Sequence, residues 1–197
     1  MKQFWGKYRG VVLDNEDPLM LGRLQVSAPQ VLGEVLTAWA MPCVPYAGIQ
    51  VGFCMLPPVG AAVWVEFEGG DLDYPIWSGC FWREGERPVE AELSTMRMIQ
   101  TSSCKFILND LAAEGGFTLS VMDPAVAVPI TISGSSTGLL ITLAEVSIDM
   151  SEKGVTIMAD PALLSLGSLG VTMAHGSAMV SATEPEVSIN EGSLTVL

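Results

Sequence analysis

The sequence is short of cations: nine Lys and Arg stand against 22 Asp and Glu, for a formal charge of −13. Affinity that comes from neutralising phosphates requires clustered Lys and Arg, so nucleic acid is not the expected partner. Histidine occurs once, as His175. Any Ser-His-Asp arrangement would have to use it, yet it lies in the small-residue context AHGSA, where no deep pocket is expected. The four cysteines, Cys43, Cys54, Cys80 and Cys104, are far apart and form no Cys-x-x-Cys pair. That spacing argues against zinc, and free buried thiols are the expectation, since Cys packs as a small hydrophobe. Gly167-Ser168-Leu169-Gly170 lacks the lysine and the strand-to-helix context of a phosphate loop. No catalytic residue, metal or cofactor is expected.

Charge is missing altogether from Val35 to Val65. An uncharged stretch of that length could pass for a membrane span. Pro42, Pro45, Pro57, Pro58, Gly48, Gly52 and Gly60 break it too often for a lipid-exposed helix, so it is read as buried β-core. The opening MKQFWGKYRG has no apolar run of signal-peptide length behind it, and assembly in the cytoplasm is expected.

What is present points to β-structure. Apolar residues make up 49% against 16% charged, which places the chain with folded proteins. Its 197 residues suffice for one large domain or two small ones. From Leu56 to Trp82, Val63, Val65 and Phe67 alternate with Trp64, Glu66 and Glu68, the period of a half-buried strand. Gly69 and Gly70 break that strand, Asp71 to Pro75 forms a polar connection, and Ile76 to Trp82 resumes as a second strand. Upstream, Tyr8 to Leu13 and Leu21 to Ser27 read as strands on either side of the turn cluster DNEDP, and Thr37 to Val44 as another. Five short strands within about the first 82 residues suit a small Greek-key barrel.

Arg83 to Arg97 is charged and poor in large apolar residues, as linkers are, so the expected division is a barrel with its linker over 1–95 and a second domain over 96–197. Two of the nine cations lie beyond residue 97. That half consists of short alternating segments, among them Phe117-x-Leu119-x-Val121, Leu139-x-Ile141-x-Leu143 and Val146-x-Ile148-x-Met150, separated by Gly, Ser, Asp and Pro. Such segments fit a solenoid whose rungs stabilise one another. The spacing between them reads as irregular.

Two arrangements invite a chemical reading. Glu66 and Glu68 would share one strand face at roughly 7 Å, within the separation an inverting glycosidase uses; an alternating strand, however, puts charges on its solvent face anyway. Trp5, Trp64, Trp77 and Trp82 could form stacking platforms for a single strand, but no basic groove accompanies them, and rings that fill the barrel or a subunit interface are the expectation.

Pro58, Val59, Gly60, Val63, Val65, Phe67, Glu68, Gly70, Asp71, Pro75 and Gly79 together resemble the OB-type barrel of phage baseplate assembly protein V and of the VgrG spikes of type VI secretion. Asp17-Pro18 followed by Gly22-Arg23 is similar to the family's opening hairpin, and Trp39-Ala40 to its third strand. The stretch from Ile99 to Asp110 looks like the junction after that barrel, and Thr137 to Ala159 like the intertwined β-helix that three chains form together. The resemblance implies an all-β chain with an N-terminal OB-type Greek-key barrel and an intertwined triple-stranded β-helix. It implies a non-enzymatic homotrimeric spike of a phage-tail-like injection particle, with a baseplate hub protein on its N-terminal side and membrane contact by puncture. Some relatives close their apex with a His-x-His metal site; here Val187, Ile189, Leu194, Val196 and Leu197 alternate instead, and the resemblance implies docking of a PAAR-type tip protein. The reading from another class is a stand-alone OB module for an oligosaccharide or single-stranded nucleic acid.

Overall fold

The computed structural model describes residues 3–88, 94–190 and 193–196. The chain divides into two compact units, 1–87 and 88–197. The first holds β1 (Tyr8–Asp14), β2 (Gln25–Ser27), the one-turn helix α1 (Pro29–Leu32), β3 (Met41–Pro42), β4 (Ala47–Gly48), β5 (Val51–Gly52), β6 (Ala62–Phe67) and β7 (Pro75–Cys80). Five of these strands form one sheet in the order β2-β1-β6-β7-β3, in which β3 runs parallel to β7; β4 and β5 pair with each other. The alternation expected in β6 holds: Val63, Val65 and Phe67 are buried, while Trp64 and Glu66 are half-buried on the other face. Val12, Leu24, Val26, Ala40 and Trp77 complete the core around them. Close packing reaches the backbone at Gly10, where a Cβ would meet a methyl of Val26 at 2.5 Å.

Three expectations are corrected here. The strands read at Leu21–Ser27 and Thr37–Val44 shorten to Gln25–Ser27 and Met41–Pro42. Amides of Leu19, Leu21 and Arg23 are taken up by the carboxylate of Asp17, which leaves a turn where a ladder was expected. The uncharged stretch is core only in part: Thr37, Ala40, Pro57, Ala62, Val63 and Val65 are buried, whereas 46–56 is an exposed hairpin and loop. Its strands of two residues are too short to carry a turn of the chain inward. All four cysteines are free but exposed rather than buried, because they fall at strand ends or in loops and not at the inward positions that Val, Leu and Phe fill. Among the described residues no helix is long and apolar enough to cross a membrane.

The second unit is a meander. It runs through β8 (Met96–Gln100), β9 (Cys104–Asn109), β10 (Gly116–Val121), β11 (Ile130–Ser135), β12 (Gly138–Leu143), β13 (Val146–Ser151), β14 (Gly154–Ala159), β15 (Ala162–Gly167), β16 (Gly170–His175), β17 (Ala178–Thr183), β18 (Glu186–Ile189) and β19 (Leu194–Val196). Each strand pairs antiparallel with the next, giving a 12-stranded sheet in sequence order. The spacing is regular, contrary to the reading from sequence: from Gly138 to Thr183, six-residue strands alternate with two-residue turns, a period of eight. Gly138, Gly154 and Gly170 open every second strand. Gly154 has a φ of +134°, and a Cβ there would sit 1.9 Å from the carbonyl oxygen of Leu166 on the next strand, so the approach of the two backbones requires glycine. The fold class is all-β, a barrel unit followed by a long antiparallel sheet.

Candidate functional site

Register decides what the sheet presents. Ile99, Phe106, Leu119, Ile132, Ile141, Ile148, Ile157, Leu164, Met173, Val180, Ile189 and Leu194 are cross-strand partners in an unbroken line over all 12 strands. Period-two alternation puts their neighbours on the opposite face. There the central line from Thr156 onward runs Ser165, Thr172, Ser181 and Ser188, all hydroxyls. One face is thus an apolar ladder and the other carries a hydroxyl ladder. No described residue from 94 onward is buried, and Ile99, Leu119, Ile157, Met173 and Leu194 of the apolar ladder are all exposed. Each such side chain contributes roughly 1.5–3 kcal/mol when fully buried, so a single chain forfeits what its pattern provides for.

The barrel residues singled out by their resemblance have structural duties. Gly22 accepts a hydrogen bond from the indole N–H of Trp77 at 3.0 Å. Arg23 forms an ion pair with Asp17 at 2.6 Å and stands 5.6 Å from the centre of the Trp39 ring. The Arg23 guanidinium, with help from the backbone amides of Leu19, Leu21 and Arg23, holds the Asp17 carboxyl well below the usual carboxylate range. Pro58 accepts from the amide of Ala61, and Gly60 donates to Val12 at 2.8 Å, which ties the approach to β6 onto β1. Val63, Val65 and Phe67 are core. Gly70 accepts from the amide of Phe4, Asp71 caps the amide of Asp73 at 3.1 Å, and Pro75 pairs with Phe67 to start β7. Gly79, with a φ of +115°, lies opposite the register shift between Val63 and Val65. Val59 is exposed, and Glu68 opens the 3-10 turn Glu68–Gly70.

That turn separates the two carboxylates considered for hydrolysis. β6 ends at Phe67, so the alternation that would bring Glu66 and Glu68 onto one face stops before Glu68. Glu66 is held below its ordinary value by the Ser78 hydroxyl and by Lys7, whose ammonium is 3.2 Å away; a general acid needs the opposite displacement. The Trp64 ring stacks on Phe81 with centroids 4.6 Å apart, and the Arg9 guanidinium lies over both rings. Trp77 is core, while Trp5 and Trp82 are exposed. His175 closes β16, paired with Ala162 on one side and Ala178 on the other. Among the described residues no group of His, Cys, Asp or Glu is placed to hold a metal ion.

At the distal end of the sheet, Ile189 pairs with Leu194 and Val187 with Val196, and β19 is the edge strand. Val187 and Leu194 are exposed. Leu197, the last residue considered for tip docking, lies outside the described residues. Sequence reasoning missed the continuous ladder and its glycine brackets; the recurrence of Gly138, Gly154 and Gly170 every 16 residues was the available signal.

Residues 8–82 match the family model described as the type VI secretion system/phage-baseplate injector OB domain. No curated protein matches the chain.

Proposed function

We propose that the chain, whose residues 8–82 match the type VI secretion system/phage-baseplate injector OB domain, is a protein of the baseplate V/VgrG type and the central spike of such an injection machine. In this reading three copies associate through the second unit, burying their apolar ladders against one another to form a needle, with the barrels as its collar. The observation that carries the reading is the ladder itself: 12 strands align apolar residues on one face, and no described residue from 94 onward is buried. A pattern so continuous, in a unit none of whose described residues is buried, fits a sheet that completes its core with copies of itself.

The role is mechanical and non-enzymatic. A contracting sheath drives the tube, and the needle has to enter the target envelope without buckling. Chains wound together suit that duty, because parting them breaks many backbone hydrogen bonds at once and makes unfolding slow. The particle is phage-tail-like and assembles in the cytoplasm, a baseplate hub protein holds the barrel end, a PAAR-type cone sits on the distal strands, and the target membrane is met by puncture. No nucleic acid or cofactor enters this reading. The stand-alone binding module gains no support from Trp64, whose ring is already engaged by Phe81 and Arg9.

Light scattering on the purified protein tests the assembly. The expected mass is that of three chains of 20.9 kDa. Ile157→Asp, on the apolar ladder, should abolish the trimer, whereas Thr156→Asp, its neighbour on the hydroxyl face, should leave it intact. A well-folded wild-type monomer at micromolar concentration would overturn the proposal.

A further inference from the structure

The hydroxyl-bearing face of the sheet is interrupted at one place between β10 and β19. Its central line passes through Thr118 and Ser133 and runs as hydroxyls again from Thr156 to Thr195, but Leu140 and Asp149 stand side by side between them. Leu140 is 37% exposed. Asp149 is the one acidic residue within the strands from β8 to β17, since the other Asp and Glu of that stretch lie in turns and loops. The interruption borders a cavity of about 550 Å³ whose walls include Ser133, Ser135, Thr137, Leu140, Asp149 and Ser151. The hydroxyls of Ser135 and Thr137 bond to each other at 2.8 Å, which fixes one rim. Among the described residues the Asp149 carboxylate and the Ser133 hydroxyl have no side-chain hydrogen bond or ion pair.

We infer that this cavity binds a neutral sugar residue of a glycan. A pyranose has an apolar C–H face and a rim of hydroxyls, and the three adjacent strands present the complement: Leu140 between Ser133 and Asp149. With strands about 4.8 Å apart, that trio spans roughly 10 Å, room for one ring lying on the leucine. A carboxylate accepts from two neighbouring sugar hydroxyls in charge-assisted bonds, and serine and threonine hydroxyls both donate and accept, which suits a ligand that does the same. A few convergent polar groups around an apolar contact are what orient a small ligand. An acidic sugar or a phosphate would meet Asp149 and Glu152 against Lys153 alone, so charge selects for a neutral one. The site lies within one chain, on the face that the proposed trimer turns outward, and it stands or falls apart from that trimer.

Saturation-transfer NMR on the full-length protein tests this with D-glucose, D-galactose, D-mannose and N-acetyl-D-glucosamine as separate probes, and with D-glucuronate as an acidic counterpart. At least one of the neutral sugars should bind with a Kd of about 10 mM or tighter. That binding should weaken at least about tenfold in Asp149→Ala, which removes the acceptor, and in Leu140→Ser, which restores the line of hydroxyls. Both positions are exposed, so the fold is kept. Thr172→Ala, on the same line but outside the cavity, should leave binding unchanged. Glucuronate should bind more weakly than the neutral sugar. No signal from any of the four neutral probes would overturn the inference, as would binding that survives both Asp149→Ala and Leu140→Ser, or glucuronate held as tightly as the neutral sugar.

Discussion

The indole N–H of Trp77 donates to the carbonyl oxygen of Gly22 at 3.0 Å, joining two residues 55 positions apart and fastening the turn before β2 to the inner face of β7. Trp77 is 4% exposed and Gly22 half-buried, so the bond is partly shielded from water. Trp77→Phe keeps a ring in the core but leaves the acceptor unmatched and part of the volume empty. The barrel should lose roughly 1–3 kcal/mol of stability, read as a fall in the denaturant midpoint followed by the remaining tryptophans. An unchanged midpoint would mean that the bond contributes nothing net.

Asp17 ties the same turn together through Arg23. Its carboxyl titrates below its unfolded value, so it contributes stability that is fully present above the ordinary aspartate range, near 4, and is lost as the pH falls from there through the folded value. Asp17→Asn should therefore lower the melting temperature by several degrees at pH 7, and the gap between variant and wild type should narrow steadily below about pH 4. A gap independent of pH would show that Asn loses shape rather than charge.

The barrel was legible because its signals are local. Val63, Val65 and Phe67 alternate within one strand, and Gly70, Asp71 and Pro75 mark the loop that follows. The exposed hairpin at 46–56 was not legible, since an uncharged run looks the same whether it fills a core or waits for a neighbour. The sheet was read as strands but not as a regular array, for a geometric reason. Antiparallel strands joined by two-residue turns must reverse their phase to keep one face apolar, so the step between apolar residues across a turn alternates. It is three from Leu143 to Val146 and five from Met150 to Val155, then three from Ala159 to Ala162 and five from Leu166 to Val171. Each step alone looks irregular, although every pair of strands spans 16 residues. The longer connection between β10 and β11 hides the repeat further.

That alternation makes a sharp prediction about deletions. Removing 154–169 takes out one complete hairpin and joins Lys153 to Gly170, so that Met150 meets Val171 and Ile148 meets Met173 and the ladder continues. Removing 162–169 deletes half as much but sets Ile157 against Thr172, putting all later strands on the wrong face. The larger deletion should yield a trimer of normal thermal stability and the smaller one an aggregated or monomeric product, as judged by light scattering and thermal melts. Equal tolerance of both would show that the apolar ladder does not direct assembly.

The distal strands give the last expectation. Among the described residues β19 pairs with β18 only, which leaves its outer edge open, and Val187 and Leu194 are exposed. His175, the single histidine of the sequence, closes β16, two strands before β18, so these strands carry no His-x-His pattern. Three such edges brought together would present apolar surface with free backbone donors and acceptors, a combination that takes up another protein more readily than it tolerates water. A PAAR-type cone co-expressed with the full-length chain should therefore copurify with it. A version truncated after Ala182, which lacks β18 and β19, should remain trimeric and lose the cone, whereas Glu186→Ala, which keeps the apolar residues, should retain it. Loss of the cone together with the trimer would point to a role in assembly instead, and equal capture by full-length and truncated trimers would place the docking surface away from these strands.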